Sequence, residues 1–275
     1  MTSFKVPQRT SVGRGVDRVD IAYDDAGSGP VVVLLHGYPF NRTLWRDQVM
    51  ALQENYRVIV PDLRGHGASA IMPGPATMEQ MAGDIAGLLD NLNIERATIG
   101  GLSMGGYVAL AFYRLFPFRV LSLILAATRA QADNDEAKQN REVQAAKARN
   151  EGMEGIADAL LPKLLTAETV AKRPEIVKHL RGMMASTNPE GAAAALQGMA
   201  TRQDQTSFLS EIAAPTLILV GSEDAITPPV DAELMHREIK GSRLEIIEGA
   251  GHVVNLEKRE EFNAAIGRFL SGVAG

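Results

Sequence analysis

The amino-acid sequence predicts an α/β protein with a mostly parallel sheet, helices on both faces and a helical insertion late in the chain. Three observations predict it. Short runs rich in valine, isoleucine and leucine recur between longer helical patterns, one amphipathic stretch has clear helical spacing, and the strand pattern stops between Thr128 and Thr216. Apolar runs that are continuous rather than alternating indicate strands covered on both faces, which is the condition of a parallel sheet.

In chain order, the glycines at 13 to 15 and 27 to 29 read as hairpin turns dividing the N-terminal strands. A dinucleotide-binding loop at Gly13 and Gly15 is excluded because no helix opens there. Val31–Leu35 and residues 57–60, 97–100, 121–126, 216–220 and 243–247 read as buried strands. Residues 77–92 place Met78, Met81, Ile85, Leu88, Leu89 and Leu92 three and four apart, with Thr77 and Gln80 spaced as a capping box. Residues 131–207 read as three or four short helices broken at Pro162, Pro174 and Pro189, set into a core of 1–130 and 208–275. The insertion has no linker long enough to separate it, so it must pack on the sheet. A final helix is expected over 257–269.

Composition narrows the function classes. The 275 residues are 45% hydrophobic, ordinary for one large buried core. A net charge of −5 without any basic cluster argues against nucleic acid. The best apolar run, 120–127, is far too short for a membrane span, and residues 1–10 lack an apolar signal core, so a cytoplasmic address is expected. Zero cysteines remove thiolate nucleophiles and zinc-thiolate sites. The sequence lacks an H-E-x-x-H motif, so neither a metal nor a cofactor is expected. Monomer and dimer are both open.

The chemistry concentrates at Gly101-Leu-Ser-Met-Gly105, a G-x-S-x-G pentapeptide directly after an apolar run and at the head of an amphipathic one. A chain passing from strand to helix within one residue is strained at Ser103 and needs glycines where the segments nearly touch. A serine hydroxyl then requires a base within reach and a third group to orient that base. Of the five histidines, His36 and His66 lie in glycine turns and read as loop braces, and His179 and His236 sit in solvated helical patterns. His252, in a loop after the last strand, is the candidate base. Asp224 is the candidate acid, since it follows a strand at the same sheet edge; Glu223 beside it is the competitor, and Asp231 falls inside the next helix.

Five segments together resemble the α/β-hydrolase superfamily: Leu35-His-Gly-Tyr-Pro, Asp62-Leu-Arg-Gly-His-Gly, Gly101-Leu-Ser-Met-Gly, Gly221-Ser-Glu-Asp and Gly251-His252. Serine, acid and histidine fall in that family's chain order, each after a strand. The resemblance implies the α/β-hydrolase fold, a mostly parallel eight-stranded sheet with helices on both faces and the helical insertion after strand six, with Ser103 as nucleophile, His252 as general base and Asp224 as its orienting carboxylate. It further implies an oxyanion hole from the backbone N–H groups of Tyr38 and Met104, with the insertion as a cap over the nucleophile. Serine at the elbow argues against dehalogenases and epoxide hydrolases, which use aspartate. The His-Gly-Tyr-Pro form is similar to bacterial arylesterases, perhydrolases and 3-oxoadipate enol-lactonases. The substrate expected is therefore a small carboxylic ester, with short-to-medium acyl or aryl groups. A lactone or enol-lactone, a perhydrolase side activity, C–C bond hydrolysis and a non-catalytic binding scaffold stay open. Arg129, Arg141 and Arg149 are candidates for a substrate carboxylate, and Met153, Met183, Met184 and Met199 for an adaptable pocket wall or for core filling.

Overall fold

The structure is a computed structural model that describes residues 6–13 and 15–273. Residues 1–5 of the segment read for a signal, and Arg14 in the first glycine turn, lie outside the described residues. The strands are β1 (Gln8–Val12), β2 (Val19–Ala26), β3 (Val31–Leu35), β4 (Arg57–Pro61), β5 (Ala97–Leu102), β6 (Val120–Ala126), β7 (Thr216–Gly221) and β8 (Arg243–Ile247). The helices of the core are α1 (Arg46–Leu52), α2 (Met78–Asn91) and α3 (Met104–Leu115), then, beyond an insertion of α4 (Asp135–Glu151), α5 (Glu154–Leu164), α6 (Ala167–Lys172), α7 (Pro174–Ala185) and α8 (Pro189–Ala200), α9 (Pro229–Glu238), α10 (Val254–Glu257) and α11 (Arg259–Val273).

One sheet carries all eight strands in the order β1-β2-β4-β3-β5-β6-β7-β8. β1 with β2 and β2 with β4 run antiparallel, and every other pair runs parallel. The continuous apolar runs are explained by two separate cores. Val33, Leu35, Ile59, Ile99, Leu123 and Ile218 face one core, shared with α2 and α3. Their neighbours Val32, Leu34, Val58, Ile124 and Leu217 face the other, shared with α1 and α11.

Three expectations change. The turn at Gly27 to Gly29 is not a hairpin: β4 lies between β2 and β3, so this turn carries the chain past a strand that has yet to be made. The insertion has five helices rather than three or four, because Pro174 and Pro189 open helices while Pro162 sits inside α5 without ending it. The expected final helix is two, α10 and α11, parted at Lys258, whose φ of −125° and ψ of 58° leave the helical region. The helix at 77–92 is as expected, and Thr77 and Gln80 form both bonds of the capping box.

The insertion shares both cores. Ala145, Ala193, Leu196 and Met199 of α4 and α8 join the first, and Ala157, Leu161, Leu164, Leu180 and Met183 of α5 and α7 join the second. α8 approaches so closely that a Cβ on Gly191 would overlap the carbonyl of Gly65. Met153, Met183, Met184 and Met199 are all at most 5% exposed; Met199 fills the first core, Met183 and Met184 the second, and Met153 a small cluster with Ala148, Ile156 and Ala192 inside the insertion.

The capping box makes one fold-level measurement simple. Thr77→Ala removes the hydroxyl acceptor from the Gln80 N–H, and urea denaturation should report a loss of about 1 kcal/mol.

Candidate active site

β5 ends at Leu102 and α3 begins at Met104, so Ser103 makes the whole turn by itself, with φ 56° and ψ −113°. For a residue with a Cβ this is a strained conformation that must be enforced from outside. The enforcement is visible. Ser103 N–H donates to Ala126 O at 2.9 Å, its carbonyl accepts from Thr128 Oγ1 at 2.8 Å, and both partners sit at or just past the end of β6. Gly105 is pressed so hard on β3 that a Cβ there would overlap the Leu35 carbonyl, and a Cβ on Gly101 would overlap Gly105. Serine is a favoured helix cap, yet Ser103 makes no side-chain cap bond, so its half-buried hydroxyl is not consumed by its own helix. Met104 N–H lies in the first helical turn, where no intrahelical acceptor exists. The His36-Gly37-Tyr38 loop lies alongside: a Cβ on Gly37 would be 3.3 Å from that of Ser103.

Asp224 and His252 are brought together. His252 Nδ1 lies 3.0 and 2.9 Å from the two carboxylate oxygens, and the residues are 3% and 2% exposed. Asp224 Oδ1 also accepts from the N–H groups of Ile226 and Thr227, and Oδ2 from the Thr227 hydroxyl. Burial would push the Asp224 carboxyl up, but its attraction to His252 and the bonds from His252 and Thr227 outweigh that and hold it below the ordinary carboxylate value. With Nδ1 engaged by the carboxylate as a donor, the imidazole keeps its Nε2 lone pair for another proton. The two loops are stitched together independently of the side chains, since Glu223 N–H donates to Ala250 O and Gly249 N–H to Ser222 Oγ. Glu223, the competing acid, points its exposed side chain elsewhere.

The remaining histidines divide as their sequence context implies. His36 Nε2 accepts from Leu63 N–H at 3.0 Å, tying two glycine loops together, and its ring lies 5.1 Å from that of His66. His66 Nδ1 bonds the Arg64 carbonyl. His179 and His236 are exposed. The second motif segment is a brace: buried Asp62 accepts from Arg42 Nη1 and from the N–H groups of Arg42 and Ala68, each at 2.7 Å, and Arg64 forms a two-pronged pair with Asp84.

The three arginines considered for a substrate carboxylate are each engaged within the chain: Arg129 with Asp231, Arg141 with Asp133, and Arg149 with Glu190. Arg202 also binds Asp133, and although burial favours the neutral acid, the two guanidinium groups hold the Asp133 carboxyl below its usual value. Two site residues escaped the sequence reading. Thr227, whose hydroxyl steadies Asp224 and lies 3.3 Å from His252 Nδ1, has a local signal in the Asp-x-x-Thr spacing ahead of two prolines. Glu257, buried behind His252, has none, because its partner Thr166 lies 91 residues away.

Residues 30–259 match the alpha/beta hydrolase fold family, and the chain belongs to it. It is 33% identical to 3-oxoadipate enol-lactonase 2 of Acinetobacter baylyi over 251 residues, 90% of this chain and 92% of that protein. Among solved structures, a malate-bound thermophilic esterase from Thermogutta terrifontis superposes with a TM-score of 0.95 at 44% identity, covering 98% of this chain and 100% of the other. The enol-lactonase from Burkholderia xenovorans LB400 superposes with a TM-score of 0.89 at 31% identity, covering 96% and 100%.

The two braced histidines give the site a pH limit. Burial lowers His36 to about 4 and His66 to about 3, the second helped by the first. Both must stay neutral when folded, whereas in the unfolded chain they take up protons near pH 6.5, so stability is complete above that value and drains as pH falls toward 4. At about 1.4 kcal/mol per unit for each histidine, the loss from pH 7 to pH 5 should be about 3 to 4 kcal/mol. Urea midpoints at the two pH values measure it, and a His66→Gln variant should show a shallower dependence than the parent.

Proposed function

We propose that the chain is a serine hydrolase that cleaves small carboxylic esters through an acyl-enzyme. The observation that carries this reading is the buried Asp224–His252 pair, presented from the same sheet edge as a serine held at φ 56°. Ser103 Oγ attacks the acyl carbon while His252 Nε2 takes its proton, and Asp224 holds the ring in the donating Nδ1–H tautomer and balances the imidazolium. The oxyanion is met by the N–H groups of Met104 and Tyr38. His252 returns the proton to the departing alcohol, and water then repeats the sequence to free the acid. Residues 131–207 act as a cap over the core formed by 1–130 and 208–275, so the pocket is shaped by the underside of the insertion.

Esters with short-to-medium acyl or aryl groups fit best, because the arginines that could bind a free carboxylate are already paired. Lactone hydrolysis is the second reading. A lactone is a cyclic ester that the same groups can open, and the relatives named enol-lactonases align with 90% or more of this chain.

Hydrolysis of p-nitrophenyl butyrate should fall on the order of 10⁴- to 10⁶-fold in Ser103→Ala and about 10⁴-fold in Asp224→Asn, with circular dichroism unchanged. Equal rates in Ser103→Ala and the parent would end the enzymatic reading. EDTA should leave the rate intact. A panel of matched esters and lactones, compared by kcat/KM, separates the two substrate classes.

A further inference from the structure

Behind His252 lies a buried carboxylate that the chemistry above does not use. Glu257, at the end of α10, is 6% exposed and makes no ion pair with Lys, Arg or His among the described residues. Its Oε2 accepts from Gly251 N–H at 2.7 Å, and its Oε1 from Thr166 N–H at 2.8 Å and the Thr166 hydroxyl at 3.0 Å. Gly251 precedes His252, and Thr166 follows α5 of the insertion. The same seam is closed from the other side, because the Leu164 carbonyl accepts from His252 N–H at 3.0 Å and Val253 N–H at 3.3 Å.

Burying an unpaired carboxylate costs several kcal/mol unless donors surround it. The arrangement explains why a carboxylate is nevertheless needed. Backbone N–H groups approach from both sides, one from the histidine loop and one from the insertion, so the bridge must accept at both ends. Glutamate does so; glutamine offers one oxygen and one NH2, which would face a donor with a donor.

We propose that Glu257 is a positioning residue that couples the insertion to the catalytic base, so that the seat of the Leu164–Thr166 segment sets where the His252 imidazole stands relative to Asp224. The inference rests on the reading of His252 as the base. It assigns Glu257 no contact with substrate. Its loss should appear in turnover and in the Asp224–His252 hydrogen bond rather than in substrate affinity.

The test compares the full chain with Glu257→Gln, Thr166→Val and Thr166→Ser in p-nitrophenyl butyrate kinetics, thermal unfolding and the downfield proton resonance of His252 Nδ1–H. Glu257→Gln should lower kcat on the order of 10²-fold, the cost of misplacing a catalytic group by about 1 Å, while KM changes far less. Its Nδ1–H resonance should broaden or vanish. Thr166→Val should move in the same direction by less, and Thr166→Ser should recover the parent rate. A folded Glu257→Gln with parental kcat and an intact resonance overturns the proposal. Should that variant not fold, the threonine pair decides: parental kcat in Thr166→Val overturns it, and reduced kcat rescued by serine supports it. Ser103→Ala, measured in parallel, separates the two failures, since only its retention of activity would sink the underlying triad.

Discussion

The strained turn at Ser103 is the constraint around which the molecule is arranged. A helix must begin one residue after a strand ends, and the chain achieves this by driving α3 against the carbonyl of Leu35 at the end of β3. Two glycines make the contact sterically feasible, and hydrogen bonds to Ala126 and Thr128 hold it shut. Strain of this kind costs on the order of 1 to 3 kcal/mol and persists only where the surroundings over-determine it. Here the surroundings are the closely packed middle of a doubly covered sheet.

Around that turn, the buried carboxylates have their partners supplied. Asp224 has four donors, Asp62 has three, and the Arg64–Asp84 pair is two-pronged. Each network anchors one loop at the carboxyl edge of the sheet. A buried polar group with a partner missing is costly, so each network favours a single loop conformation over its alternatives. The loops therefore behave as rigid extensions of the strands, although none of them is regular structure.

What was legible in the sequence was local. Val31 to Leu35 declares a strand covered on both faces, Thr77 and Gln80 declare a helix start within four residues, and the elbow glycines declare their turn within five. Asp224 and His252 were readable because each stands a few residues past a strand. Pairing was less readable. Gln8–Val12 is an edge strand with a single buried residue and carries no apolar run, and nothing near Gly27 announces that β4 will come to lie beside β2. The helix count in the insertion was missed because α6 is six residues long and Pro162 does not end α5. Glu257 was invisible for the most basic reason: its meaning is a contact with a segment far away in the chain.

The shared packing of the insertion has a consequence for its mobility. Met183 accepts a hydrogen bond from Asn41 N–H through its sulfur, Thr187 donates to the Pro39 carbonyl, and Leu164 holds the histidine loop. Lifting the insertion away would wet apolar side chains belonging to both hydrophobic cores, at roughly 1.5 to 3 kcal/mol for each large one. The insertion is therefore held in place as part of the fold's packing and not as a separately hinged lobe.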